Sequence, residues 1–297
     1  MHLIAVAVLL SCLFIPVGVM YIWLHQQKKA GRRNPLTEDL LRLPAESLTE
    51  RLRDMALDLM TVLYASIAIP SIVLLTLFSS WIDADKVQIS FVSVLGVIAI
   101  LAGTVWSARK TVLVMRELKS TRAGIEGEMA TAQLLSPLLA KGWKLFHDIP
   151  GRRGNIDHVL VGPGGVFAIE TKFRSKPQSI KGKESAAARY DGEAIQFPTG
   201  RDTLAIQQAA AVSREMATTL SGKLGEPVSV LPVVSLPGWF VTTTCKPIPG
   251  QVAVINPKSH GLFERWQGLD QQMQNRICFA LSELAARTAK TSLTLDG

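Results

Sequence analysis

The chain has 297 residues, is close to half hydrophobic (48%) and carries a formal net charge of +8. Its three cysteines, Cys12, Cys245 and Cys278, form no CxxC pair and have no histidines close by. That argues against a zinc site or a disulfide framework and suits a reducing cytoplasm. The charge excess lies entirely beyond residue 107: residues 1–107 hold 8 Lys+Arg against 8 Asp+Glu, and the rest hold 24 against 16. A basic module of this kind points to nucleic acid or anionic lipid as a partner.

Three uncharged apolar runs occupy the first third: Leu3 to Leu24, Met60 to Ile82 and Val87 to Ser107. Each is near the ~20 residues that a helix needs to cross a bilayer. Trp23, Trp81 and Trp106 fall at their C-terminal ends, where interfacial aromatics belong. Pro16 and Pro70 are tolerated in spans, and Gly96, Ala99 and Gly103 give the third run a small-residue face for close helix contact. The first run lacks a basic leader and is too long for a cleavable signal. Lys28, Lys29, Arg32, Arg33, Arg42, Arg51 and Arg53 follow the first run, and Arg109, Lys110, Arg116 and Lys119 follow the third. The link between the second and third runs carries Asp83, Asp85 and only Lys86. The positive-inside rule then sets the N-terminus outside and everything after Arg109 in the cytoplasm, in a multi-pass protein of a bacterial inner membrane.

The expected organisation follows: a first transmembrane helix over 1–27, a basic cytoplasmic loop over 28–55, a transmembrane helical hairpin over 56–108 and a linker over 109–121. A mixed α/β module spans 122–240, and an extension over 241–297 packs on it and ends in helix. Apolar spacing predicts a helix over Arg122 to Ala140 and a strand over Trp143 to Ile149. Then come two strands about a Gly162-Pro163-Gly164-Gly165 turn, and a short hairpin from Arg189 to Phe197. A helix over Asp202 to Leu220 and strands over Val228 to Ser235 and Gln251 to Ile255 complete the core. Helices at Leu262 to Trp266 and Gln271 to Ala286 close the chain, and Pro237 to Gly250 reads as a surface loop.

The strands about the turn carry charges where a strand normally holds apolar residues: Asp157 on the first, Glu170 and Lys172 on the second. Such charges need something to offset their desolvation. With the loop centred on Pro163-Gly164, Asp157 lies directly opposite Glu170, their Cβ atoms roughly 4.5–5.5 Å apart. Lys172 shares the face of Glu170. Two opposed carboxylates repel, and a divalent cation relieves the repulsion. A bulge or an odd loop would instead move Asp157 to the other face. His158 falls on the face opposite Asp157, as a core or surface histidine rather than a ligand.

Gly124-Ile125-Glu126-Gly127-Glu128, Asn155-Ile156-Asp157-His158 and Gly164-Gly165-Val166-Phe167-Ala168-Ile169-Glu170-Thr171-Lys172 occur in this order. The set resembles the nuclease-related domain (NERD) family of the PD-(D/E)XK, restriction-endonuclease-like superfamily, over roughly Gly124 to Ser235. The resemblance implies a central mixed β-sheet flanked by helices, an α+β arrangement following the transmembrane helices. It implies Asp157 and Glu170 as metal-binding acids, Glu128 as a further acid of the metal shell, and Lys172 as the catalytic lysine. It also implies a polar residue on the following helix, Gln208 or Gln207; the family's Asn-Pro ahead of that glutamine is replaced here by Asp202-Thr203-Leu204. Near a helix start, Glu128 would also suit the helix dipole.

The expected activity is Mg²⁺- or Mn²⁺-dependent hydrolysis of phosphodiester bonds in nucleic acid, DNA ahead of RNA, by a membrane-anchored hydrolase. Arg152, Arg153, Arg174, Lys176, Lys181 and Lys183 flank the site as phosphate contacts. The competing readings are a catalytically silent module that binds nucleic acid, and a membrane scaffold that oligomerises through its spans.

Overall fold

The computed structural model describes residues 22, 40–81, 91–152, 154–177, 182–245, 250–265 and 268–286. The chain divides into two compact units, residues 1–37 with 53–119 and residues 38–52 with 120–297. Of the first apolar run only Ile22, which is helical, falls among the described residues. The acidic link at 82–90 lies outside them, as do Arg153 and Lys181.

Two long helices supply the first unit. Helix α1 (Glu46–Trp81) takes up the second apolar run with Pro70 inside it, and α2 (Phe91–Leu135) takes up most of the third. Both are long and apolar enough to cross a membrane, and their most apolar windows are only 6% and 11% buried, where a soluble core helix would be mostly buried. Their hydroxyls bond back into the helix. Thr61 and Ser71 donate to the Leu57 and Ile67 carbonyls, and Thr104 donates to that of Ile100. Ser66 donates to the Leu63 carbonyl. These polar side chains thus satisfy themselves without water.

Residues 109–121, expected as a linker, and Arg122 to Leu135, expected to begin a new helix, are one continuous stretch of α2. Nothing from Ala108 to Ala123 breaks a helix, Gly124 and Gly127 are tolerated, and the first proline is Pro137. There the chain passes into a 3₁₀ turn, Ser136–Lys141, closed by Gly142 with φ 84°.

The second unit is built on a five-stranded mixed sheet. β1 (Lys144–Ile149), β2 (Ile156–Gly162) and β3 (Gly165–Thr171) form an antiparallel meander. A smaller sheet grows between β3 and the next long helix: β4 (Ala187–Tyr190), β5 (Ile195–Phe197) and β6 (Gly200–Asp202). After α3 (Leu204–Leu224) comes β7 (Val230–Ser235), parallel to β3. β8 (Phe240–Thr243) joins the small sheet beside β4, and β9 (Ala253–Ile255) adds to the large sheet beside β7. Helices α4 (Gly261–Glu264) and α5 (Gln271–Ala285) follow. The expected Arg189–Phe197 hairpin is β4–β5. The expected surface loop from Pro237 contains β8, whose parallel pairing with a distant strand leaves no local pattern.

Alternation along β2 and β3 divides the core in two. Val159, Val161 and Val166 pack with Met216 and Leu220 of α3 and Ile277 and Leu281 of α5. Leu160, Phe167 and Ile169 pack on the opposite side with Leu135, Leu138 and Phe263. There Trp143, Phe167 and Phe263 form an edge-packed trio with centroids 5.0–6.1 Å apart. A third cluster seats the small sheet through Tyr190, Ile195, Phe197 and Trp239 against Ala205 and Ala209 of α3.

The backbone of Gly162 is covered by the Trp143 indole, and a Cβ there would overlap the ring. Gly162→Ala is therefore expected to destabilise the protein by about 1–3 kcal/mol, read as a lower thermal midpoint of the full chain in detergent.

Candidate active site

The register that places the acids is set by the turn. Gly162 pairs with Gly165 across the two-residue Pro163-Gly164 loop, and pairing continues to His158 opposite Ile169. One more step puts Asp157 opposite Glu170, as the symmetric turn predicts. The ladder stops at that step. Asp157 Oδ2 accepts the Thr171 N–H at 2.6 Å, while the Lys172 N–H goes to the Ser235 carbonyl at 2.9 Å. A side-chain carboxylate thus takes the donor at the end of β3, and the chain beyond it stays with β7 rather than β2. The strands fork at Asp157.

Glu170 is buried, and Lys172 Nζ lies 2.8 Å from its Oε1, the contact expected of neighbours on one strand face. Glu128 comes from α2 and is also buried. Its approach depends on Gly127, where any Cβ would run into Phe173 Cβ just past Lys172. One turn on, Thr131 Oγ1 contacts Ser235 Oγ at 2.9 Å and accepts from Thr171 Oγ1 at 3.3 Å, fastening α2 to the ends of β3 and β7. Glu128 is deep in α2, two turns from its C-terminal end, so the expected help from a helix N-terminus does not apply.

Electrostatics mark these carboxyls as crowded. Burial raises the Asp157 carboxyl well above the usual carboxylate range, and the charges of Glu170 and Glu128 push it further. The Thr171 N–H and the Lys172 ammonium pull the other way. Glu128 is raised to about 7, first by burial and then by the charges of Asp148 and Glu170.

Residues 123–237 match the family model of the nuclease-related domain (NERD). No curated protein and no solved structure matches the chain. The NERD match begins in α2, ends just beyond β7, and holds Glu128, Asp157, Glu170 and Lys172 together with Gln207 and Gln208.

Gln207 and Gln208 are both exposed on α3, and among the described residues neither hydrogen-bonds to the acids. Arg174 is engaged: Nη2 meets Asp202 Oδ2 at 2.7 Å and its guanidinium sits 4.7 Å from the Phe197 ring centroid. Asp202 also accepts the Ala205 N–H at the start of α3, so Arg174 ties the strand beyond the acids to the helix start. Arg152 and Lys176 are exposed. Arg152 donates its backbone N–H to Glu215 Oε1. His158 is fully buried, as a core histidine, with Nδ1 2.9 Å from Nδ1 of His147. Burial lowers His147 to about 4, and burial with the neighbouring His147 lowers His158 to about 3, so both rings are neutral.

Asp148, which the NERD segment also holds, was not foreseen. It is 2% exposed and accepts from Asn155 Nδ2 at 2.9 Å, and from Arg42 and Ser47 outside the matched segment. Asn155 stood in the motif; the left-handed backbone of Asp148, φ 50°, has no signal in the sequence.

The donor chemistry suits a hard divalent cation. Asp157 and Glu170 each use one carboxylate oxygen on a donor of the chain, Thr171 N–H and Lys172 Nζ, which leaves Oδ1 and Oε2. Among the described residues no three His, Cys, Asp or Glu side chains are grouped to hold an ion. The chain therefore offers a carboxylate pair, the provision typical of Mg²⁺ sites that also use water and substrate oxygens.

A carboxyl raised on folding favours the native state while protonated, and that advantage is lost as pH rises from 4.5 toward 7. The buried neutral histidines act in reverse, and their contribution is lost as pH falls below 6.5. In metal-free protein the Glu128 advantage is thus expected to be gone by neutral pH. Glu128→Gln should raise stability at pH 8 by on the order of 2 kcal/mol, with little change near pH 5, as followed by thermal unfolding across that range.

Proposed function

We propose that the protein is a membrane-anchored, cytoplasm-facing, metal-dependent nuclease that hydrolyses phosphodiester bonds, with DNA the expected substrate ahead of RNA. The observation that carries this reading is the fork at Asp157. It gathers Asp157, Glu170 and Glu128, two of them with raised proton affinity, beside the Lys172 ammonium. The NERD match supports nuclease-related chemistry at these residues.

Asp157 and Glu170 would hold Mg²⁺ or Mn²⁺, with Glu128 behind them. Bound there, the ion would supply Lewis-acid polarisation of a phosphate and acidify a water to near neutrality. Lys172 places a positive charge beside the carboxylate pair, where negative charge develops on a phosphate under attack. Its ion pair with Glu170 fixes the ammonium before substrate arrives. The Thr171 N–H holds the Asp157 carboxylate in one orientation. Arg152 and Lys176, exposed, and Arg153, Lys181 and Lys183 nearby in sequence are proposed phosphate contacts. Gln207 or Gln208 is the proposed polar helix residue.

Anchoring rests on the two apolar helices and on the lysine and arginine distribution about them, which supports a bacterial inner membrane with the acid cluster on the cytoplasmic side. The spans also supply a surface for self-association. The segments proposed to lie in the bilayer, residues 60–82 and 87–107, leave Glu128 outside it.

The full chain in detergent is expected to cut DNA when Mg²⁺ or Mn²⁺ is added and to stop with EDTA. Asp157→Ala and Glu170→Ala should each lower the rate by at least about 100-fold, and Lys172→Ala should lower it similarly without loosening DNA binding. Cutting by Asp157→Ala and Glu170→Ala at the wild-type rate would sink the assignment. Salt-sensitive binding without cleavage under any metal would favour a silent nucleic-acid-binding module.

A further inference from the structure

The chain that leads into α1 is bonded into the carboxylate cluster although it lies outside the NERD segment. Asp148, at the end of β1, accepts from four donors. Arg42 Nη1 and the Ser47 N–H reach Oδ2 at 3.0 Å each, and Ser47 Oγ and Asn155 Nδ2 reach Oδ1 at 2.5 and 2.9 Å. The turn between Arg42 and Ser47 is itself fixed. Ala45 is fully buried with φ 57°, the Leu43 N–H is held by Glu46 Oε2 at 2.8 Å, and the Arg42 N–H is held by the Ala285 carbonyl at 3.0 Å.

The turn reaches the neighbourhood of Glu128: its Ala45 backbone N–H is one of the groups that oppose the rise in the Glu128 pKa. Leu48, one residue past Ser47, sits so close to Gly124 that a Cβ there would be 3.2 Å from Leu48 Cδ1. The first turn of α1 therefore lies against α2 one turn before Glu128.

Stability alone is a poor reason for this arrangement. A buried ion pair commonly contributes little against an apolar replacement. Here Arg42 Nε is also buried with no hydrogen-bond partner among the described residues, a further cost. Buried polar contacts of this kind specify position.

We propose that Arg42, Ser47 and Asp148 are positioning residues that hold the Ala45 turn against Glu128 and so aim it at Asp157 and Glu170. The segment leading into the first described apolar helix then completes the active site. This inference rests on the nuclease reading of the cluster. Asp148, pinned by four donors, fixes the turn, the turn sets Leu48 against Gly124 one helical turn before Glu128, and Gly127 fixes how closely α2 approaches the fork. Orientation by residues behind a ligand typically changes ion affinity by ~10–100-fold.

The test uses the full chain in detergent. Steady-state cleavage of DNA with Mg²⁺, Mn²⁺ affinity by electron paramagnetic resonance, and the thermal midpoint are measured for Ser47→Ala, Arg42→Ala, Arg42→Lys and the double variant Arg42→Ala/Ser47→Ala. The double variant should lower kcat on the order of 10-fold, leave KM for DNA within about twofold, and weaken Mn²⁺ binding on the order of 10-fold. Arg42→Lys should recover most of the loss of Arg42→Ala, because one Nη contact is all that Asp148 receives from it. Adding Glu128→Gln to the double variant should cost little more than Glu128→Gln alone. A lowered thermal midpoint with wild-type kcat and wild-type Mn²⁺ affinity, or losses that add in full with Glu128→Gln, would overturn the positioning role while leaving the nuclease reading intact. A wild-type chain that cuts nothing would overturn both.

Discussion

The competition for one backbone donor, the Thr171 N–H, organises the candidate site. In an uninterrupted hairpin that group would stay in the ladder between β2 and β3. Here the Asp157 carboxylate takes it at 2.6 Å, and β3 continues only with β7 through the Lys172 N–H. The consequence is that the β2–β3 pairing ends at His158 and Ile169. Carboxylates can sit beyond that end because the sheet around them supplies fixed donors. They cannot do so comfortably, because burial and mutual repulsion raise Asp157 and Glu128 together. On the nuclease reading proposed above, the crowding sits where a cation and a phosphate would relieve it.

How much of this could be read from the sequence depends on the range of the interaction. The Pro163-Gly164 turn and the strict alternation beside it determined the hairpin register, because a two-residue loop leaves no freedom to slip. The same alternation placed His158 away from Asp157, and the structure buries it against His147. The continuity of α2 was not legible. Helix boundaries there were inferred from a change in composition, and composition changes from apolar to mixed without any residue that would break a helix. β8 was missed because its pairing partner is β4, more than forty residues earlier. Asp148 was missed for a related reason. Its partners Arg42 and Ser47 are about a hundred residues away, and its own left-handed backbone is held by those contacts rather than by a local motif.

The polar side chains of the acid unit divide by how far each is satisfied. Asp148 has four donors and serves as a fixed point. Arg174 and Asp202 satisfy each other and tie the strand beyond the acids to the start of α3. Among the described residues, Asp157 and Glu170 each accept on one oxygen. Among the described residues the fold thus supplies Asp148 with more donors than Asp157, nine residues on, or Glu170 on the neighbouring strand, and it is this contrast that makes the pair a candidate for an outside ligand.

The histidine pair bears on the same point from the core side. His147 and His158 stay neutral at 2.9 Å because burial lowers both, and one ring must donate while the other accepts. They add no positive charge beneath the acid cluster. Had either ring carried a proton at neutral pH, it would have compensated the carboxylates from within and weakened their demand for an external cation. With the histidines neutral and Arg42 committed to Asp148, Lys172 is, among the described residues, the cation that touches the acid pair, and it reaches one oxygen of Glu170. One ammonium beside these carboxyls is too little, and the raised proton affinity of Asp157 and Glu128 is its sign. Basic character elsewhere in the unit draws a polyanion toward the protein at long range. At short range, on the nuclease reading proposed above, a divalent cation between the acids and a phosphate would displace the protons that the raised carboxyls favour.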